Sequence, residues 1–356
     1  MKRLSLICLA VIYSLSIWAG NPDRSGQAGA YELLINPYAK SAGIHSLNTA
    51  NVQGVESMRL NVAGLADIYN TELVAVNNQW LLGSGLQINT LGFGTKVGDS
   101  SAFGIEVFSF NFGEVDYTTT DNPGGSIGTF RPSFVNIAIS YARKFSREIN
   151  AGMTLRAISE SMGNVRANGL AIDAGVTYMT GKWDHFKFGV SLRNIGTPIK
   201  FDGDGLSTKT YLDGNNYEQT IQQRANTFEL PSLMHIGLSY DIKNAKKGAD
   251  KGKSEAWRVT TVGNFQSNSF TNDELGLGIE VAYLERVVLR QGYRWAQPVT
   301  YLNTPESSFL YSGPASGLSI LVPAEGDINK SLSIDLAYRM TNNYDGVWTL
   351  GCSLKF

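Results

Sequence analysis

From Thr71 to the C-terminus, apolar and polar side chains alternate in short segments that are separated by turn residues. A strand that has one face against an apolar medium and one against a polar medium shows this period of two. The clearest segment has an apolar face made of alternate residues, Leu170, Ile172, Ala174, Val176 and Tyr178. The pattern therefore predicts an all-β protein with many strands.

Counting these segments gives about fourteen strands, and an even number is what a closed antiparallel membrane barrel requires. The predicted strands lie near Thr71–Gln79, Ser84–Val97, Ala102–Phe112, Ser133–Phe145, Glu148–Glu160, Val165–Thr180, His185–Ile195, Leu233–Ile242, Ala256–Gln266, Glu274–Leu284, Arg286–Ala296, Gly317–Val322, Ser331–Thr341 and Gly346–Phe356.

A soluble β-sandwich shows the same alternation, so three further features decide between the two folds. The strands are longer than the roughly five or six residues of soluble strands and suit the ~9–11 that cross a bilayer. Aromatic residues such as Tyr141, Tyr283 and Trp348 gather at the ends of the apolar faces, where a membrane interface places them. The chain also ends on an aromatic residue, Phe356. We therefore expect a transmembrane antiparallel β-barrel in a bacterial outer membrane.

The lengths of the connections indicate the orientation of this barrel. The connections at one end are mostly tight, and those at the other end include the three long ones, Gly113–Pro132, Gly196–Ser232 and Gln297–Ser316. Outer-membrane barrels have short periplasmic turns and long extracellular loops. We therefore expect both termini in the periplasm, with the Lys-rich turn Lys243–Ser254 as the one long periplasmic connection.

The first residues have the layout of a secretory signal peptide. Lys2 and Arg3 precede an apolar run, Leu4–Trp18, which is followed by Ala19 and Gly20. The alternative is a helical membrane anchor, but the run falls short of the ~20 residues that span a bilayer. We predict that residues 1–19 are a cleaved signal peptide.

Residues 20–70 form a separate segment that precedes the barrel of residues 71–356 and lacks the alternation. Its small residues and scattered apolar residues suggest short helices and turns. Such a segment either trails in the periplasm or folds into the lumen. Its apolar content is too high for a disordered tail, which favours a plug or hatch inside the barrel.

Composition excludes several classes of function. Removal of Lys2 and Arg3 takes the net charge from −1 to about −3, which argues against a nucleic-acid partner. Cys352 is the only cysteine beyond the signal peptide, and the three histidines have no partner at the spacing of a metal site or a catalytic triad. Asp202, Asp204 and Asp213 could gather around calcium, but the closing Glu of an EF-hand is missing. We expect no enzyme activity, cofactor or metal.

Charged residues on the polar faces of the strands predict a polar lumen. Arg286, Arg290 and Arg294 share one parity, and an Arg in the bilayer midplane costs ~2–4 kcal/mol, so this row should face inward. The same reasoning turns Arg156 and Arg193 inward, and it gives a lumen charge network made of Asp173, Glu280, Arg286, Arg290, Arg294, Asp335 and Arg339. This network either fastens the plug or selects a substrate or ion.

Several short motifs resemble the PorV/PorQ family of Bacteroidota, which belongs to the FadL-like, fourteen-stranded barrels. They are Ala39–Ile44, Asn61–Ala66, Thr227–Ser232 and Leu332–Tyr338. The resemblance spans essentially the whole mature chain, although each motif is short and degenerate. In FadL-like transporters an Asn-Pro-Ala triplet marks the hatch. Here Val62 replaces the Pro, so only Asn61 and Ala63 match the hatch turn.

The resemblance implies two functions, besides other accessory or scaffold roles. The first is a non-enzymatic partner subunit of a protein secretion or assembly complex, the type IX secretion system, whose long loops contact protein partners. The alternative is a FadL-like channel for hydrophobic small molecules, which needs an apolar pocket and a lateral opening in the wall. Aromatic loop residues either anchor the partner or pack the loops together; they are Tyr211, Tyr217, Phe228, Tyr301, Phe309 and Tyr311.

Overall fold

The fold was analysed in a computed structural model of the chain. It describes residues 20–119, 122–125, 127–181, 184–211, 217–243, 256–296, 299–301, 304–306, 310–324, 327–342 and 344–356. The predicted signal peptide, residues 1–19, and nearly all of the Lys-rich turn lie outside the described residues.

The main sheet closes on itself as a barrel of fourteen long antiparallel strands, because the first strand pairs with both the second and the last. The predicted fold class is confirmed. The strands are β1 (Thr71–Trp80), β2 (Leu86–Val97), β3 (Ser101–Asn111), β4 (Ser133–Lys144), β5 (Ile149–Met162), β6 (Val165–Thr180), β7 (Phe186–Gly196), β8 (Leu233–Lys243), β9 (Trp257–Asn268), β10 (Glu274–Tyr283), β11 (Val287–Ala296), β12 (Tyr311–Ala324), β13 (Asp327–Thr341) and β14 (Val347–Lys355).

Apolar side chains of the strands point outward and polar ones point into the lumen. On β6, Leu170 and Ile172 are 55% and 47% exposed, whereas Ala171 and Asp173 are 1% and 3% exposed. Lipid tails require an apolar outer face. Closure of the barrel also pairs the backbone groups, which lipid cannot do. Among the described residues, no helix is long and apolar enough to cross a membrane.

The strand boundaries differ from the prediction mainly on β12 and β13. β12 begins at Tyr311, six residues before the predicted Gly317, and β13 begins at Asp327, four before Ser331. The added part of β12 contains Gly313 and Pro314 and has no apolar alternation. Backbone pairing with β13, which has a register shift between Tyr311 and Ala315, holds this part in the sheet instead.

The two ends of the barrel differ in their connections. The short-turn end contains both ends of the barrel sequence and tight turns such as Gly98–Ser100. The long-loop end holds the other connections. This end carries a 3-10 helix at Asp204–Leu206 and a two-residue strand, Phe201–Asp202, that pairs with β6. Three pairs of short strands lie in the loops: Val115–Asp116 with Thr129–Phe130, Ser207–Tyr211 with Glu218–Gln222, and Val299–Tyr301 with Thr304–Glu306.

The N-terminal segment, residues 20–70, runs along the inside of the barrel. It consists of turns and short helices, which are 3-10 helices at Pro22–Arg24, Tyr31–Leu34, Val55–Arg59 and Val62–Asp67 and one α-helical turn, α1, at Ala39–Ala42. Nearly all of residues 36–66 are buried although the segment has no core of its own. At one point a Cβ on Gly43 would lie 2.6 Å from the Cα of Gly317 on β12, so the two backbones meet directly.

Candidate functional site

A chain of buried ion pairs crosses the middle of the lumen. Glu106 on β3 pairs with Arg59 of the N-terminal segment at 3.2 Å and with Arg156 on β5 at 3.0 Å. Arg156 also pairs with Asp173 on β6 at 3.0 Å. The side chains of Arg59, Arg156 and Glu106 are fully buried. Positive and negative groups alternate along this central cluster, so each charge has an opposite neighbour.

The same cluster fastens the N-terminal segment to the wall through hydrogen bonds. The Tyr38 hydroxyl donates to Glu106 at 2.8 Å, and Arg156 donates to the Met58 carbonyl at 3.4 Å. Arg59 also lies over the Phe108 ring, with its guanidinium carbon 4.4 Å from the ring centroid. Hydrogen bonds that involve a charged group are about twice as strong as neutral ones, so this is a strong anchor.

Asn61, the first residue matched to the hatch turn, caps the 3-10 helix that follows it. Its side-chain oxygen accepts from the backbone N–H of Ala63 at 3.2 Å, and its amide nitrogen donates to the Thr49 carbonyl at 2.9 Å. It also donates to the carbonyl of Val176 on β6 at 3.2 Å. A Cβ on Gly175 would lie 2.1 Å from the Asn61 side-chain oxygen, so this approach needs glycine in the wall.

A second group of ion pairs lies toward the short-turn end. Glu280 pairs with Arg290 at 2.6 Å and with Arg258 at 2.7 Å. Asp335 on β13 lies 3.7 Å from Lys40 of the N-terminal segment. These contacts surround a polar cavity of about 280 Å³ at this end.

The residues of the predicted lumen charge network therefore do not form one connected set of ion pairs but belong to separate groups of contacts. Arg286 is not in it, because β11 begins at Val287 and the Arg286 side chain is exposed in the preceding turn. Arg294 pairs with Glu274 at 2.5 Å, and Arg339 has no ion pair among the described residues. Sequence reasoning missed Glu106, although it shares inward parity with Ala102 and Phe108.

A larger cavity, of about 830 Å³, lies toward the long-loop end. We call it the outer cavity. Its wall is rich in aromatic side chains, which belong to the N-terminal end of β12, the long-loop ends of β1, β3, β4 and β11, and one connection: Trp80, Phe110, Phe112, Phe134, Tyr293, Trp295 and Tyr311. Phe110 and Phe112 stack with centroids 4.3 Å apart. Cavities of this size with a largely apolar lining are typical of small-molecule binding sites.

The wall is incompletely paired beside the outer cavity, between β11 and β12. Backbone pairing of these strands covers Val287–Gly292 with Ala315–Ile320 and stops there, although β11 continues to Ala296 and β12 starts at Tyr311. We call this place the seam. The consecutive residues 293–296 all line the cavity, although alternate residues of a strand face opposite sides. Both faces of β11 therefore contribute to the wall of the cavity at the seam.

The N-terminal segment meets the seam at His45. Its Nε2 lies 2.7 Å from the carbonyl of Gly313 on β12, and Arg294 on β11 donates to the His45 carbonyl. Burial and the nearby Arg294 lower the pKa of His45 to about 3, so the ring is neutral at pH 7. A neutral ring with hydrogen on Nε2 donates to Gly313. His45 and Ser46 both have left-handed backbone, with φ of 56° and 57°, which costs free energy in residues other than glycine.

This turn is also the partition between the two cavities. Ser46 lines the outer cavity and Asn48 lines the polar cavity at the short-turn end. Leu47, between them, is 1% exposed and packs with Ile44 and Val262. The two cavities are therefore separated along this path by a single turn of chain.

The aromatic loop candidates do not form one surface. Tyr211 and Tyr217 are 68% and 75% exposed, as a docking surface requires. Tyr311 lies in β12 and faces the outer cavity, and half-buried Phe228 packs on the loop core around Leu230. The side chain of Tyr301 and all of Phe309 lie outside the described residues.

Within the part of the chain that the structure describes, no group of three or more potential metal ligands occurs. His45 and His235 are buried apart from each other, and His185 lies against Tyr240, with ring centroids 5.8 Å apart. Asp202 and Asp204 are exposed in the loop, and Asp213 is outside the described residues.

Comparison with known proteins connects this arrangement to one group of barrels. No family model matches the sequence, and the comparison with curated proteins finds no match. Among solved structures, the CymD monoaromatic hydrocarbon channel aligns with a TM-score of 0.52 and 14% identity over 91% of this chain and 98% of that chain. The Pseudomonas putida toluene transporter TodX gives a TM-score of 0.53 and 11% identity over 90% and 97%. A Pseudomonas aeruginosa FadL homologue gives 0.53 and 12% over 89% and 98%.

The chain has the FadL barrel fold. The predicted FadL-like fold, that of an outer-membrane β-barrel, is thereby supported. The prediction of a PorV/PorQ-like subunit of a secretion complex is wrong, because the proteins that share the fold are hydrocarbon channels and transporters. The motifs that suggested it are short, and they lie in the N-terminal segment, in the loop before β8 and on β13.

Proposed function

We propose that the chain is an outer-membrane channel for hydrophobic small molecules. The observation that carries this proposal is the aromatic outer cavity of about 830 Å³, which extends to the seam between β11 and β12. Two structures that share the FadL fold are named as a monoaromatic hydrocarbon channel and a toluene transporter, which supports the same class of solute.

The proposed path starts at the long-loop end, where the solute leaves water for the outer cavity. Removing apolar surface from water contributes a favourable free energy of roughly 25 cal/mol per Å², so the aromatic wall favours entry of an apolar solute. From the cavity, the seam offers a route past Tyr293 and Trp295 into the membrane that avoids the charged central cluster. A route straight down the lumen would separate the buried ion pairs of the central cluster, and an apolar solute cannot replace the lost partners, which disfavours that route.

The N-terminal segment is the proposed closure of the lumen. It is held by Arg59 to Glu106 and by the His45 turn, and it separates the outer cavity from the polar cavity. Both termini of the barrel lie at the short-turn end, and we propose that this end faces the periplasm, as loop length predicts.

The test is uptake of a labelled neutral aromatic compound by a strain from which the chromosomal gene is deleted and in which a plasmid supplies the wild-type or variant gene. Ala296→Trp places a bulky ring at the seam, where Ala296 lines the outer cavity, and should reduce the initial rate severalfold. Val322→Trp is the matched control, because Val322 is on the facing strand and 58% exposed toward lipid. Equal uptake by the deletion strain and the wild type, or equal effects of the two Trp variants, would refute the proposal.

A further inference from the structure

Arg339 on β13 is a buried cation without a counter-charge. It is 3% exposed, and its Nε and Nη2 have no hydrogen-bond partner. No carboxylate among the described residues forms an ion pair with it, unlike Arg294, which pairs with Glu274 at 2.5 Å. A buried charge that lacks a partner costs several kcal/mol, so native chains seldom keep one without a use for it.

Its surroundings form a shaped subsite at the edge of the outer cavity. The Arg339 guanidinium carbon lies 4.8 Å from the centroid of the Tyr311 ring and 5.9 Å from that of Trp80. The Tyr311 hydroxyl is buried and also has no hydrogen-bond partner. Arg339, Tyr311 and Trp80 all line the outer cavity. Two unpaired donor groups therefore lie between aromatic faces.

We propose that this subsite binds the anionic group of an aromatic solute, with a carboxylate as the simplest case. This deepens the proposed function and rests on it. The carboxylate oxygens accept from Arg339 and Tyr311, and a planar guanidinium can donate two parallel hydrogen bonds to a carboxylate. The aromatic body lies against Trp80 and the other rings of the cavity, where offset or edge-to-face contacts favour a flat molecule.

None of the three acidic residues described in the cavity wall forms an ion pair with Arg339. Glu274 is neutralised by Arg294. Glu32 of the N-terminal segment lines the same cavity, and burial raises the pKa of its carboxyl, which weakens its repulsion of an anion. Glu160 on β5 lines the cavity as well but has no ion pair with Arg339. His45, whose ring centroid lies 5.6 Å from that of Tyr311, is neutral at pH 7 because its pKa is lowered to about 3.

The experiment measures binding of 2-naphthoate and its neutral methyl ester to the purified, folded full-length barrel in detergent, by calorimetry. The wild type should bind the acid more tightly than the ester. Arg339→Gln should weaken binding of the acid about tenfold, equal to about 1.4 kcal/mol, and leave the ester nearly unchanged. Arg339→Lys should restore part of the affinity for the acid. Arg131→Gln is the control for loss of one positive charge, because Arg131 is an exposed loop residue paired with Glu114.

The outcomes separate the two levels of the proposal. Equal binding of acid and ester, with no effect of Arg339→Gln on a correctly folded barrel, would overturn the anion subsite and leave the proposed channel intact. No binding of either compound would overturn both. Decanoate is a third probe: tighter binding of the naphthoate supports the aromatic body, and tighter binding of decanoate overturns that part. Heat-modifiable migration in electrophoresis shows that each variant is folded.

Discussion

The central cluster should contribute a large part of the free energy of unfolding of the barrel. We consider Arg156→Met, which removes a fully buried guanidinium that pairs with Glu106 at 3.0 Å and Asp173 at 3.0 Å. Removing one partner of a buried ion pair usually costs about 3–5 kcal/mol, because the other charge stays buried. Glu106 keeps its pair with Arg59, but Asp173 loses its only ion pair among the described residues.

Asp173→Asn should relieve this cost when it is combined with Arg156→Met. Asp173 also accepts from the backbone N–H of Asn194 at 2.7 Å, and an amide oxygen can keep that bond. The double variant should therefore be destabilised by less than the sum of the single variants, with a coupling of about 0.5–3 kcal/mol. The assay is urea unfolding of the barrel in phospholipid vesicles, followed by tryptophan fluorescence.

Arg131→Met is the control, since exposed ion pairs contribute about 0–1 kcal/mol. Arg131 pairs with Glu114 on a loop, and their side chains are 70% and 53% exposed. A loss below about 1 kcal/mol for Arg156→Met, or simple additivity with Asp173→Asn, would show that the central cluster does not stabilise the folded barrel.

Three further predictions concern other parts of the molecule. Burial lowers the pKa of His45 from 6.5 to about 3, so below pH 6.5 the released segment, with His45 in water, binds more protons than the docked one. Closure should therefore weaken by roughly 2 kcal/mol between pH 6.5 and 5, and conductance in planar bilayers should rise in acid. A flat profile, or the same rise in His45→Gln, would contradict this. Gly175→Ala should push Asn61 from its cap and lower the urea midpoint, because the Cβ would lie 2.1 Å from the Asn61 side-chain oxygen; an unchanged midpoint would show that the contact yields freely. An epitope inserted at exposed Tyr217 should be detected on intact cells, and one at Asp99 only after permeabilisation; the reverse would invert the orientation.

The strands of the barrel could be predicted because each side chain on a strand reports its own environment. The outward position of Leu170 and the inward position of Asp173 follow from local alternation alone, and pairing with neighbours does not change them. Alternation along β11 in the same way placed the side chains of Arg290 and Arg294 in the lumen. It failed for Arg286 because the strand starts one residue later, where parity no longer fixes direction.

The candidate site was less predictable because it depends on contacts between distant parts of the chain. Arg59 lies in a segment without a period, and nothing local pairs it with Glu106 on β3. The seam arises where β11 and β12 lose their pairing, and the residues of β12 there, such as Gly313, have no alternation to show that they belong to a strand. Tyr311 was therefore predicted in a loop although it faces the outer cavity.

The central claim is that a hydrophobic solute binds in the outer cavity, and the most direct measurement is where such a solute lies in the folded protein. Crystals of the full-length barrel soaked with a brominated aromatic compound would show the bromine by anomalous scattering. We predict a peak among Trp80, Tyr311 and Trp295, inside the cavity and beside the seam. A peak confined to the lipid-facing surface, with the cavity lacking bound solute at saturating concentration, would contradict the account.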